Sequence, residues 1–158
     1  MLSIYTDGGC HGNPGPGAWA YVIIDNTAKD DRSNNFESAI NESYGAAPLT
    51  TNNQMELSAV ISALKYIDAN NYSSNEIAIY TDSQYVQKGI SQWIKNWKRN
   101  GWRTADKKPV KNAELWQQLD ALCINKNIIW RWVKAHNGDP LNERCDQLVQ
   151  IAIAMLYK

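Results

Sequence analysis

LSIYTD at residues 2–7 and EIAIYTD at residues 76–82 decide how this chain folds. Each alternates between two kinds of side chain, the period of a β-strand with two unlike faces. Each ends in Ile-Tyr-Thr-Asp, so the two share one inward and outward pattern down to the last residue. Laid side by side and parallel, they project Asp7 and Asp82 from the same edge and the same face of a sheet. That carboxyl edge is where open α/β sheets bind ligands. Two carboxylates so placed repel each other, and at least one pKa rises unless a cation intervenes. Oxygen ligands of this kind suit magnesium or manganese. A strand-ending Asp that only opens a turn is the plainer reading of either residue alone. The matched pair favours a site.

The rest of the chain builds around these two strands. Gly8–Gly17 (GGCHGNPGPG) reads as a turn-rich loop, and residues 18–25 (AWAYVIID) as a second strand. A third strand is expected near 35–44. From Thr51 the period changes: Leu57, Val60, Ile61, Leu64 and Ile67 form one apolar stripe of a helix, capped by Thr51 or Asn52. After 76–82 the pattern predicts a short helix ending near Gly89 and a second over 91–99. A helix capped by Asn112 then runs to about 124, followed by a strand over 128–133. Residues 135–140 form a loop before a final helix over about 141–156. The order β-β-β-α-β-α-α-α-β-α implies an α/β fold with a five-stranded mixed sheet flanked by helices. The three N-terminal strands are antiparallel, and the later ones are joined by right-handed parallel crossovers.

The 158 residues fit one domain, 1–158. No apolar run is long enough to span a membrane. The N-terminus reads as a first strand and not as a signal peptide. Three cysteines, Cys10, Cys123 and Cys145, make an odd number with no CxxC pair. They argue against a disulfide framework or a zinc site and for a reducing cytoplasm. Cys145 falls on the apolar stripe of the last helix, as a buried free thiol would. Net charge is zero, yet residues 95–111 hold seven cations against the single acid Asp106. A basic segment on a neutral protein suits a local polyanion contact, although a solvated helix face has the same composition. Two more acids, Glu56 and Asp146, lie near the starts of their helices, where the helix dipole alone would also favour them.

Five segments carry a closer likeness: YTDGGCHGNPGPGAW (5–19), TTNNQMEL (50–57), IYTDSQYV (79–86), WIKNWKRNGWRTADKKPVKNAELW (93–116) and WRWVKAHNGDPLNERCDQLV (130–149). Together they resemble the type 1 ribonucleases H, and only residues 26–49 lie outside any matching motif. The resemblance implies a ribonuclease H-like fold and an endonuclease that hydrolyses the RNA strand of RNA–DNA hybrids. It implies that Asp7, Glu56, Asp82 and Asp146 are the catalytic acids. They would bind two Mg2+ ions with substrate, Mn2+ being a possible substitute, and the cut would leave 5′-phosphate and 3′-hydroxyl ends. His136, in the loop KAHNGDP (134–140), would assist proton transfer or product release.

Substrate contacts follow from the same resemblance. Cys10, Gly12 and Asn13 would approach ribose by backbone, and Asn52, Asn53 and Gln84 would offer side-chain amides to the minor groove. Thr51 and Asn112 would form a phosphate pocket. Tyr85, Trp93, Trp97, Lys98 and Lys107 would hold the DNA strand within a basic protrusion at about 91–112, whose tryptophans also read as its small core. Leu49 and Gln54 stand where relatives often have arginine. A monomer is expected. The rival readings are a related nuclease of the same fold, integrase- or resolvase-like, and a non-catalytic hybrid-binding module. The basic stretch argues against the first, and the presence of all four acids against the second.

Overall fold

The computed structural model describes residues 1–25, 39–73, 75–134 and 139–157. Five strands, β1 (Leu2–Cys10), β2 (Gly15–Asp25), β3 (Ala39–Thr50), β4 (Glu76–Thr81) and β5 (Asn127–Trp132), form one sheet in the order β3-β2-β1-β4-β5. β1 is antiparallel to β2 and β2 to β3, while β4 runs parallel to both β1 and β5. The two Ile-Tyr-Thr-Asp strands are therefore neighbours, as the sequence implies, with Ile4 opposite Ile79 and Tyr5 opposite Tyr80.

Each face of the sheet has its own apolar layer. Helix α1 (Asn52–Ala69) buries Leu57, Val60, Ile61, Leu64 and Ile67 against Leu2, Ile4, Ile23, Ile77 and Ile79. Thr51 caps it by accepting the Gln54 N–H at 3.2 Å, which satisfies one of the donors a helix start leaves open. Helix α5 (Pro140–Met155) covers the other face of β1, β2 and β3. It packs Leu141, Cys145, Leu148, Val149, Ala152 and Ile153 on Ala18, Ala20, Val22 and Ile24. Its cap is Asp139, which accepts from the Leu141 and Asn142 amides.

Four local expectations need correction. Gly8-Gly9 does not end β1, which continues to Cys10 by pairing Gly8 with Trp19 and Cys10 with Gly17. The loop between β1 and β2 is correspondingly shorter than 8–17. The third strand runs to Thr50, well past residue 44, while residues 35–38 lie outside the described residues. Its Ala-Ala-Pro-Leu end has little strand character of its own; β2 supplies the ladder, and Pro48 is tolerated because β3 is an edge strand.

Gly89 does not terminate a helix: α2 (Gln84–Lys88) passes through a π-helical turn (Gly89–Trp93) directly into α3 (Ile94–Arg99). A Cβ on Gly89 would sit 2.0 Å from the Trp116 ring, so the glycine is there to admit that ring. Trp116 comes from α4 (Ala113–Cys123), which packs on α1. Fourthly, Asn112 precedes α4 in a left-handed conformation and makes no capping bond; its side chain faces Tyr85 instead.

Gly89→Ala should therefore destabilise the protein by about 1–3 kcal/mol through overpacking. A urea midpoint equal to that of the parent protein would show that the Trp116 ring can yield.

Candidate active site

The carboxyl edge of β1 and β4 gathers the predicted acids. Asp7 and Asp82 each stand two residues beyond the Tyr5–Tyr80 pair, so both point to the α5 face of that edge. Glu56 comes from the second turn of α1, on the other side of the sheet. Gly8 lets it in. A Cβ on Gly8 would lie 2.4 Å from the Met55 carbonyl carbon and 2.5 Å from the Glu56 nitrogen. With no side chain there, the first turns of α1 rest directly on β1. Gly8 thus belongs to the strand and not to the expected turn-rich loop, and its position immediately after Asp7 is the sequence signal for this role.

As a result, Asp7, Glu56 and Asp82 offer carboxylate oxygens that all lie within 4.8 Å of one another. Asp146 stands outside that trio but near enough for its charge to act on Asp7. Its placement is fixed one residue earlier, where the buried Cys145 thiol donates to the Tyr5 carbonyl at 3.3 Å and ties α5 to β1.

The electrostatics are those of uncompensated crowding. Burial, then the charges of Asp82 and Asp146, push the Asp7 carboxyl up to about 8. Burial, then Asp7 and Asp82, raise Glu56 well above the usual carboxylate range. The Gly8 backbone N–H favours the charged form of both and is outweighed. Glu56 is half-buried as a residue, yet its Oε2 is shut off from solvent and has no hydrogen-bond partner among the described residues. A buried acceptor without a donor is costly. A divalent cation among the three carboxylates removes both the repulsion and the orphaned oxygen, so these residues fit an oxygen-ligated metal. His136 lies outside the described residues.

The other candidates form two groups. Around the β1–β2 turn, the Cys10 N–H donates to Asn52 Oδ1 at 2.9 Å, and the Asn52 N–H to Asn13 Oδ1 at 3.1 Å. The Cys10 thiol donates to the Gly12 carbonyl. Cys10, Gly12, Asn13 and Asn52 thus come together at the start of α1, beside the acids. The Cys10 amide already has a partner, which limits what it can offer a ribose. Asn53 is half-buried and Gln84 exposed.

The second group is aromatic. Tyr85, Trp93, Trp97 and Trp116 pack ring on ring with centroids 5.3–5.9 Å apart. The Tyr85 hydroxyl accepts from Trp116 Nε1 at 2.9 Å and from Asn112 Nδ2 at 3.2 Å. Asn112 is thereby held near Gln54, whose amide also accepts from the Thr50 hydroxyl. Thr51, Gln54 and Asn112 therefore converge on one place, with an uncharged amide at residue 54. The tryptophans are the core of the basic segment, and that segment's loop is closed by an Arg103–Pro109 bridge. Lys107 is exposed, but Lys98 pairs with Asp120 at 3.2 Å, so only part of its charge is available to a substrate.

The sequence profile of the RNase H family matches residues 1–154. The chain belongs to the ribonuclease H family. It is similar to proteins named ribonuclease H from Bradyrhizobium sp. ORS 278, at 52% identity over 98% of this chain and 91% of the relative. The ribonuclease H of Treponema denticola is 49% identical, over 93% of each chain. Among solved structures it resembles LC9-RNase H1, a type 1 ribonuclease H with the type 2 active-site motif. That match has a TM-score of 0.81 at 27% identity, over 98% of this chain and 72% of the other. The mixed five-stranded sheet is the ribonuclease H fold. Among the described residues, no helix is long and apolar enough to cross a membrane.

The raised Asp7 carboxyl makes a pH prediction for metal-free protein. The unfolded Asp loses its proton near about pH 3.9. The folded one keeps it up to about 8. Between those values the folded state holds the extra proton, so stability falls as pH rises. With chelator, the melting temperature should drop from pH 5 to pH 8, and Asp7→Asn should raise it by several degrees at pH 8 and little at pH 5. A calorimetric scan in which Asp7→Asn lowers stability at pH 8 would show that the carboxylates are not in conflict.

Proposed function

We propose that this chain is an endonuclease that hydrolyses the RNA strand of RNA–DNA hybrids, using two Mg2+ ions and leaving 5′-phosphate and 3′-hydroxyl ends. The observation that carries the reading is the trio Asp7, Glu56 and Asp82, with carboxylate oxygens within 4.8 Å and one buried oxygen lacking any donor. Mn2+ is the natural substitute, being another hard cation that accepts carboxylates. Held by these carboxylates, such ions would supply an activated water as nucleophile and charge neutralisation at the leaving 3′-oxygen.

The chain's own residues do the positioning. Asp7, Glu56 and Asp82 hold the metal, and Asp146 adds a fourth carboxylate from α5. The Gly8 N–H steadies Asp7 and Glu56 in their charged forms. His136, in the segment KAHNGDP (134–140), assists proton transfer or product release at the metal site. Because the acids supply no nucleophile themselves, no covalent enzyme adduct forms. Cys10, Gly12, Asn13, Asn52, Asn53 and Gln84 read the minor groove, where 2′-hydroxyls distinguish RNA from DNA. Thr51 and Asn112 receive a DNA phosphate. Tyr85, Trp93, Trp97, Lys98 and Lys107 face the DNA strand, with Lys107 the stronger of the two cations because Lys98 is shared with Asp120. The protein acts in the cytoplasm as a monomer.

Asp82→Asn should abolish cleavage of a hybrid while gel-shift binding survives, since it removes a metal ligand and no phosphate contact. Full activity in that variant would overturn the site assignment. Lys107→Ala should weaken hybrid binding and lower the slope of log K against log salt by about one unit. An unchanged slope would mean that Lys107 touches no phosphate.

A further inference from the structure

One cross-strand row on the α5 face carries side chains that take no part in holding the acids. Tyr5 of β1 is opposite Tyr80 of β4, and Tyr80 is opposite Arg131 of β5. The two tyrosine rings stack with centroids 4.4 Å apart, 5° from parallel. The Arg131 guanidinium lies 5.6 Å from the centre of the Tyr80 ring, and its Nη1 donates to the Tyr80 hydroxyl at 3.0 Å. Ring face and hydroxyl together fix the guanidinium. Arginine held this way has given up much of its rotamer freedom before any ligand arrives.

The row is placed where that matters. Tyr5 and Tyr80 precede Asp7 and Asp82 by two residues, so the row lies on the same face as the acids, about 7 Å behind them along the strands. That is of the order of the step between neighbouring phosphates of one strand. Helix α5 covers β1, β2 and β3, and Arg131 on β5 is exposed. The ion pairs of the described residues, Lys98–Asp120, Lys126–Asp68 and Arg144–Glu42, leave Arg131 out. The basic segment sits on the opposite side: its Trp97 and Trp102 join the α1 core, whereas Tyr5 joins the α5 core. The acids therefore lie between two cationic regions that belong to opposite faces.

We propose that Arg131 binds a phosphate of the RNA strand, next to the bond that is cut, from the face opposite the DNA-binding segment. This rests on the ribonuclease reading above. A duplex lying across the carboxyl edge puts its DNA strand on the basic segment and its RNA strand over the acids. A fixed cation on the α5 face, one row behind the acids, then meets the RNA strand. The planar fork of a guanidinium matches two phosphate oxygens, and Arg131, exposed as a residue, gives only Nη1 to Tyr80.

The test measures hybrid binding in an Asp82→Asn background, where no cutting intervenes, for Arg131, Arg131→Ala, Arg131→Gln and Arg131→Lys. Affinity is followed against salt, and phosphates are mapped on each strand by ethylation interference. Arg131→Ala and Arg131→Gln should bind roughly three- to tenfold more weakly at low salt. Their salt slope should fall by about one, and one RNA phosphate beside the cut should cease to interfere. Arg131→Lys should keep the slope. An unchanged slope in the Ala and Gln variants, or a lost contact that maps to the DNA strand, would overturn the proposal and leave Arg131 as a lid on Tyr80. Failure of the parent Asp82→Asn protein to hold hybrid would sink the ribonuclease reading and this contact with it.

Discussion

Three carboxylates crowded at one sheet edge set the terms for the rest of the molecule. Their mutual repulsion, added to burial, holds Asp7 near about 8 and Glu56 well above the carboxylate range. Among the described residues no hydrogen-bond donor answers Glu56 Oε2. A fold tolerates this only if rigid elements hold the groups together at a cost in stability. Here β1 and β4 fix two acids by sheet register, and α1 fixes the third through direct contact with Gly8. Strain of this kind belongs to sites whose ligand relieves it.

The two faces of the sheet divide the remaining work. On one, the α1 core extends through Trp116 and Trp97 into the basic segment, so that segment is anchored in the same apolar layer as the helix that carries Glu56. On the other, α5 carries Asp146 to the edge and pins it beside β1 through the Cys145 thiol. Both acids that come from helices are thus located by packing against β1, and displacement of either helix would move a carboxylate.

Much of this was legible in the sequence. The repeated Ile-Tyr-Thr-Asp gave the parallel pairing and the acid pair, and the Leu57–Ile67 stripe with Thr51 ahead of it gave α1 and its cap. What escaped was set by partners distant in the chain. The π-helical turn at Gly89 exists because Trp116 arrives from another helix, and no local pattern announces that. The Ala-Ala-Pro-Leu end of β3 has weak strand propensity and is a strand only because β2 templates it. Asn112 looked like a helix cap but is recruited by Tyr85. The Tyr5–Tyr80–Arg131 row depends on the β4–β5 register, which periodicity alone leaves open by two residues in either direction.

The central claim is that this acid cluster cuts RNA only when RNA is paired with DNA, and only with a divalent cation. The most direct measurement is a cleavage assay on end-labelled RNA–DNA hybrid, RNA–RNA and DNA–DNA duplexes, each with Mg2+ and with chelator. Cutting confined to the RNA strand of the hybrid, dependent on Mg2+ and ending in 3′-hydroxyls, is the result the account predicts. Cleavage of duplex DNA, or hybrid cleavage that persists in chelator, would contradict it.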